Sequence, residues 1–232
     1  MMLKELDERN PLGQLKLDLE ALRKNGTFGA VMAPAGVGKT ALLVQIALQA
    51  MVRKSSVYYV SLQDPIQKVT LWYDEILQDL GKSMPPESVS ELREKMLLHR
   101  FIMTFREDNF TVPKLAERLN DLIVQNIFQP HILIIDGLYF DEKCEGVLKE
   151  MKTLACERGL FVWFSIHIHR NEQANSSGIP LSVEGLEQYF QVLLKIDEKN
   201  GSFFLKTIKG GDASRAVEAE PRLDPTTMLI AT

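Results

Sequence analysis

Within the stretch Ala33-Pro34-Ala35-Gly36-Val37-Gly38-Lys39-Thr40, the chain carries the groups needed to grip a polyphosphate. A small residue, four spacers and then Gly-Lys-Thr is the phosphate-loop pattern. Gly36 and Gly38 let the backbone curl, so that successive N–H groups converge on one anion. Lys39 supplies a cation that reaches β- and γ-phosphates, and the Thr40 hydroxyl can ligate Mg²⁺. The residues expected to wrap the phosphates run from Pro34 through Ala35, Gly36, Val37, Gly38, Lys39 and Thr40 to Ala41. A structural Gly-rich turn is the plainer alternative, and the flanking residues argue against it. Thr27 to Met32 is short and apolar, as a buried strand is. Ala41 to Met51 is a long apolar run without Gly or Pro, as a buried helix is. The helix then adds its positive N-terminal end to the site.

A second chemical feature is His131-Ile132-Leu133-Ile134-Ile135-Asp136. It reads as a buried strand that carries a carboxylate at its C-terminal tip. Downstream of a phosphate loop, Asp136 is expected to be linked to Mg²⁺; a strand-end Asp that caps a turn is the plainer alternative. His167 and His169 alternate across Ile168 and so share one face of an extended segment. With only four histidines in the chain and no further ligand at suitable spacing, they do not make a metal site.

The intervening residues must position these groups. Asn10, Pro11 and the leucines 12, 15, 19 and 22 predict an amphipathic helix that ends at Gly26. Ser56 to Leu62 reads as a second strand. Asp64 and Pro65 start a helix that Gly81 closes, residues 82–88 form a loop, and a helix covers 89–99. Phe101 to Phe105 is a third strand, and Asp108 or Thr111 opens the next helix. Another helix covers about 142–158, and Leu160 to Ser165 is an apolar strand. Residues 171–184 predict a long mobile loop, and such loops are often functional. Gln191 to Ile196 and Ser202 to Ile208 form a hairpin around Lys199-Asn200-Gly201. The tail after Gly211 shows little periodicity. Strands alternating with helices predict an α/β fold: a three-layer arrangement with a mostly parallel central sheet and a C-terminal β-hairpin. The expected organisation is an N-terminal helical arm over 1–26, an ATP-binding domain over 27–212 and a tail over 213–232.

Composition sets the class. The chain has 232 residues, 45% hydrophobic and 25% charged, which is ordinary for a globular protein with ample core. Its formal net charge of −4 gives no global attraction to nucleic acid. The two cysteines, Cys144 and Cys156, lack metal-ligand spacing and are expected to be free buried thiols. No signal peptide or membrane-length apolar run is evident, so a cytoplasmic location is expected.

Five segments together resemble the RecA-fold P-loop ATPases, in the branch of KaiC-like proteins, the DnaB-type replicative helicase core and RepA-type hexameric helicases. They are the phosphate loop, Val60-Ser61-Leu62-Gln63-Asp64, Ile134-Ile135-Asp136-Gly137-Leu138, Phe164 to Arg170, and Leu186-Glu187-Gln188 leading into Gln191 to Leu194. The resemblance implies ATP and Mg²⁺ as ligands, with the nucleotide near a subunit boundary in a homo-oligomer that is often a hexameric ring or a filament. It implies that the 160–165 strand lies between the phosphate-loop strand and the Asp136 strand. It gives His167 a γ-phosphate-sensing role, with a hydrogen-bonded structural histidine as the alternative. The 171–184 loop matches a region that contacts DNA in the helicases.

Two departures bear on activity. In the relatives, a Glu closing the second strand activates the attacking water. Here the matching position is Gln63, which can orient water by hydrogen bonds but cannot accept its proton. Asp64 is adjacent but points to the other face, and it reads either as a substitute base or as the helix cap before Pro65. The helicases also end their last strand with Lys-x-Arg, reaching the neighbour's γ-phosphate. Here the match is Lys209-Gly210-Gly211, leaving Lys209, Lys206 or Arg215 as trans-acting candidates, or as plain surface charge. The expected function is an ATP-binding protein with slow or conditional Mg-dependent hydrolysis. The catalytic set is Lys39, Gln63, Asp136 and His167, with Thr40 and Asp136 on the metal. A non-hydrolysing, nucleotide-gated regulatory or assembly protein is the alternative, and a DNA-dependent motor is another, disfavoured by the acidic charge balance. DNA binding is expected to be weak. A small-molecule kinase fits less well, since no acceptor-binding lid is evident.

Overall fold

A computed structural model describes residues 26–83, 85–141, 143–170, 172–210 and 220–231. The helix expected ahead of Gly26, and Gly211 and Arg215, lie outside the described residues. The elements run β1 (Phe28–Ala33), α1 (Lys39–Val52), β2 (Val57–Ser61), α2 (Ile66–Leu80), α3 (Pro86–Leu97), β3 (Arg100–Thr104), α4 (Val112–Val124), β4 (Ile132–Asp136), α5 (Cys144–Arg158), β5 (Phe161–His167), β6 (Val192–Lys199), β7 (Ser202–Lys209) and β8 (Arg222–Leu223). The strands form one sheet in the order β3-β2-β4-β5-β1-β6-β7-β8. Strands β1 to β6 are parallel, and β7 and β8 are antiparallel additions at one edge. This is the α/β fold of a P-loop NTPase, with β5 between β1 and β4 and a hairpin at its C-terminal side.

Each face of the sheet packs a separate core. Helices α1, α2 and α3 cover the face carrying Val31, Tyr59, Ile134 and Trp163. Helices α4 and α5 cover the face carrying Phe28, Tyr58, Ile135 and Phe164. The alternation is the period-2 consequence of strand geometry, and the fully apolar strands follow from having both faces covered. Helix α1 is buried from Ala41 to Met51, which explains why its sequence lacks a polar face.

One close approach in the sheet centre yields a test. A Cβ added at Gly29 would lie 2.8 Å from the Trp163 ring on the neighbouring strand. Trp163 is fully buried and has nowhere simple to go. Gly29→Ala is expected to destabilise the fold by about 1–3 kcal/mol, the usual cost of overpacking. A denaturant midpoint matching the parent's would show that the tryptophan yields freely.

Several boundaries differ from the sequence expectation. Helix α3 begins at Pro86, with proline in its first turn, not at residue 89. Strand β3 starts at Arg100 because its ladder follows β2 from Val57↔Arg100 onward. Thr111, not Asp108, caps α4, accepting the Lys114 N–H at 3.4 Å. Pro65 occupies the cap position of α2 without a side-chain cap bond, so Asp64 does not cap it. Cys144 is buried as expected, but Cys156 is exposed. Burial, and then the Asp141 carboxylate, pushes the Cys144 thiol up to about 12.

The late segments also differ. The described part of the long loop is folded on itself. The Glu172 carboxylate accepts the His169 N–H at 3.0 Å and the Ser182 N–H at 2.6 Å. The Asn175 side chain accepts the Ser177 and Ile179 N–H groups. These bonds satisfy backbone donors within the segment. The hairpin turns at Asn200 and Gly201, both at positive φ (52° and 74°), as its type requires. Beyond it, residues 220–231 return to the sheet edge and bury Leu223, Met228, Leu229 and Ile230.

Candidate functional site

The C-terminal ends of β1, β2, β4 and β5 converge on the start of α1. Gly36 and Gly38 have φ of 74° and 85°, the conformation that lets the loop curl. Gly38 is the cap residue of α1, and the helix has neither a side-chain cap bond nor an acidic residue in its first turn. Its first N–H groups therefore lack a competing internal acceptor, and an anion is the natural partner. The Cβ of any residue at 38 would fall within 2.5 Å of the Met228 side chain, so the C-terminal segment presses on the loop there.

The Lys39 ammonium arches back over the loop and donates to the Ala33 and Pro34 carbonyls, at 2.8 Å each. Burial holds its pKa below the usual lysine value, against the opposing pull of the Asp136 carboxylate. The Thr40 hydroxyl donates to Asp136 Oδ2 at 2.8 Å, joining α1 to the tip of β4. Asp136 is buried, as a carboxylate held by hydroxyl donors can be. A hydroxyl and a carboxylate oxygen side by side at the mouth of a phosphate-binding loop form the hard-oxygen donor set that suits Mg²⁺.

The rest of the site surrounds this pair. Gln63 lies just past the end of β2, where its side-chain amide donates to the Gly137 carbonyl at 3.3 Å. Gly137 has φ of 94°, and a Cβ there would meet the Gln63 side chain at 2.9 Å. Its N–H donates to the Ser165 hydroxyl at 2.8 Å. The peptide after Asp136 is thus held from both neighbouring strands. His167 ends β5 opposite Ala33 in the ladder. Partial burial, then the Lys39 and His169 charges, lower its pKa, which keeps the imidazole neutral at pH 7. Its ring stands edge-on to His169, with centroids 5.5 Å apart.

The structure therefore brings Lys39, Thr40, Asp136, Gln63 and His167 to one end of the sheet. It does not bring Asp64 there. Asp64 pairs with Lys68 on the outside of α2 at 2.8 Å, and its N–H is tied to the Ser61 hydroxyl. Lys209 donates to its own chain at the Glu187 carbonyl, 2.9 Å away. Lys206 sits in the β6–β7 ladder opposite Lys195. No cluster of three or more metal-ligating side chains occurs among the described residues. The sequence reading missed Tyr59 and Ser165, whose hydroxyls bond at the tip of β4. Polar atoms two residues or less from a strand's end were the available signal.

The sequence profile of the AAA domain family matches residues 22–169, well over half of the chain. The chain belongs to that family. AAA domains are nucleotide-binding P-loop ATPase domains, and the match spans β1 to the end of β5, so it takes in the phosphate loop, Gln63, Asp136 and His167. The match stops before the β6–β8 edge. A search of curated proteins finds no match to the chain. No helix among the described residues is long and apolar enough to cross a membrane.

Proposed function

We propose that this AAA-domain chain is a RecA-type Mg-dependent ATP-binding protein that hydrolyses ATP slowly or conditionally. The observation that carries the reading is the 2.8 Å contact between the Thr40 hydroxyl and Asp136 at the mouth of the phosphate loop. Pro34 to Ala41 bind the phosphates through backbone N–H groups and the α1 N-terminus, and Lys39 turns from the loop carbonyls to the β- and γ-oxygens. Thr40 and Asp136 hold the Mg²⁺, which neutralises charge on those oxygens. Gln63 orients the attacking water, and the neutral His167 reads the γ-phosphate from β5. The β6–β8 strands beyond β1, together with the five segments resembling KaiC-like proteins and hexameric helicases, support the RecA-type branch. We assign an arm to 1–26 and begin the ATP-binding domain at 27; the tail expected over 213–232 is not separate from it, because β8 joins the sheet and Leu223, Met228, Leu229 and Ile230 are buried against it. A cytoplasmic homo-oligomer, hexameric in that branch, fits the resemblance.

A non-hydrolysing, nucleotide-gated assembly protein is the second reading. It is favoured by Gln63, whose amide is engaged with the Gly137 carbonyl and carries no charge to accept a proton. Phosphate release by the purified protein, with and without single-stranded DNA, separates the readings. A slow basal rate unaffected by DNA is expected, with DNA binding weak and lost as salt rises. Strong stimulation by DNA would contradict the account and favour a motor. Tight Mg-ATP binding without any release would favour the non-hydrolysing protein.

A further inference from the structure

Tyr59 lies on β2 two residues before Ser61, which pairs with Asp136 across the ladder. Its ring is fully buried and packs edge-on to Tyr73, with centroids 6.1 Å apart. Its hydroxyl donates to Asp136 Oδ2 at 2.8 Å, the same oxygen that accepts from Thr40. Two hydroxyls, from β2 and from α1, thus converge on one carboxylate oxygen, which has the lone pairs to accept both. Among the described residues, neither hydroxyl engages the second oxygen, Oδ1.

The two donors differ in what fixes them. Thr40 sits on the phosphate loop's own helix, and in the proposed reading its oxygen also turns to the metal. The Tyr59 hydroxyl is placed by the packing of its ring in the core, independently of any ligand. Its neighbour Tyr58 faces the opposite core and bonds to the Met103 sulfur at 3.0 Å instead. A phenylalanine at 59 would pack equally well and leave Asp136 without its ligand-independent donor.

We infer that Tyr59 is a positioning residue for the Mg²⁺ site: its hydroxyl locks the Asp136 side chain so that Oδ1 is the oxygen presented to the metal's shell beside Thr40. This rests on the proposed role of Thr40 and Asp136. The groups that hold a metal-linked side chain in place matter nearly as much as the side chain itself.

The test is the affinity for a fluorescent ATP analogue, measured across a Mg²⁺ series and in EDTA, for the parent, Tyr59→Phe, Tyr58→Phe and Asp136→Ala. Tyr59→Phe is expected to raise the Mg²⁺ half-saturation about tenfold, the low end of the roughly 10–100-fold range for such partners. Metal-free affinity should be unchanged, and Tyr58→Phe should behave as the parent. Mg²⁺ dependence that Asp136→Ala removes but Tyr59→Phe leaves untouched would overturn this inference alone. A parent without Mg²⁺ dependence would overturn both the inference and the site reading beneath it. If Tyr59→Phe does not fold, 3-fluorotyrosine at 59 keeps the shape and donates more strongly. It is expected to lower the half-saturation, and an unchanged value would overturn the inference.

Discussion

Replacing Lys39 by alanine is expected to remove the stabilisation that Mg-ATP gives the parent. Lys39 is the cation of the loop, and the α1 N-terminus beside it carries only partial charge. Removing one partner of a desolvated charge pair costs about 2–5 kcal/mol, roughly 30-fold to several-thousand-fold in affinity. For the parent at about a hundred times its Kd, bound ligand adds about 2.7 kcal/mol. In a chain of this size that raises Tm by roughly 5–10 °C. In Lys39→Ala the shift should fall to about 3 °C or less, because a roughly 30-fold weaker Kd leaves about 0.9 kcal/mol and a larger loss leaves almost none. The unliganded protein should be little changed, because the lysine's own partners are two loop carbonyls, and that of Ala33 keeps the Ile168 N–H as a donor. Equal Mg-ATP shifts in parent and variant would show that the nucleotide binds elsewhere or not at all.

The second large effect runs the other way: Gln63→Glu is expected to increase turnover. The parent amide donates to the Gly137 carbonyl, a bond that a carboxylate cannot make. A glutamate at 63 is repelled by that carbonyl oxygen and turns toward the site, where it can take the proton of an attacking water. General-base assistance contributes typically about 10²–10⁴-fold. The gain is expected to be smaller, about tenfold. The arginine of the helicase pattern is Gly211 here, and a trans-acting cation can itself matter by about 10³–10⁵-fold. Because Gln63 is exposed, the substitution should leave stability within about 0.5 kcal/mol of the parent.

The features legible in the sequence were those set by short-range physics. The phosphate loop, its flanking strand and buried helix, the Asp136 strand and the Asn200-Gly201 turn are each specified by a few adjacent residues. The position of β5 between β1 and β4 followed from the family resemblance. What was not legible depends on distant partners. Strand β8 is two residues long and exists because Phe203 and Phe204 offer it an edge, so it has no periodicity to read. Met228 reaches the phosphate loop only through that return of the chain. Tyr59 looks like any strand aromatic until the register puts Ser61 opposite Asp136 and its hydroxyl falls beside the carboxylate. Asp64 failed as a cap because Pro65 itself takes the cap position, which leaves the carboxylate for Lys68.

In the proposed function, this phosphate loop turns ATP over slowly because residue 63 orients water without being able to take its proton. A phosphate-release time course tests it directly, run on the parent, on Gln63→Glu, and on Gln63→Glu combined with Lys39→Ala as background. A slow parent, a faster Gln63→Glu and a double variant at the level of buffer are expected. A parent that hydrolyses ATP briskly, with a rate unchanged by Gln63→Glu, would contradict it and place the activating group elsewhere in the site.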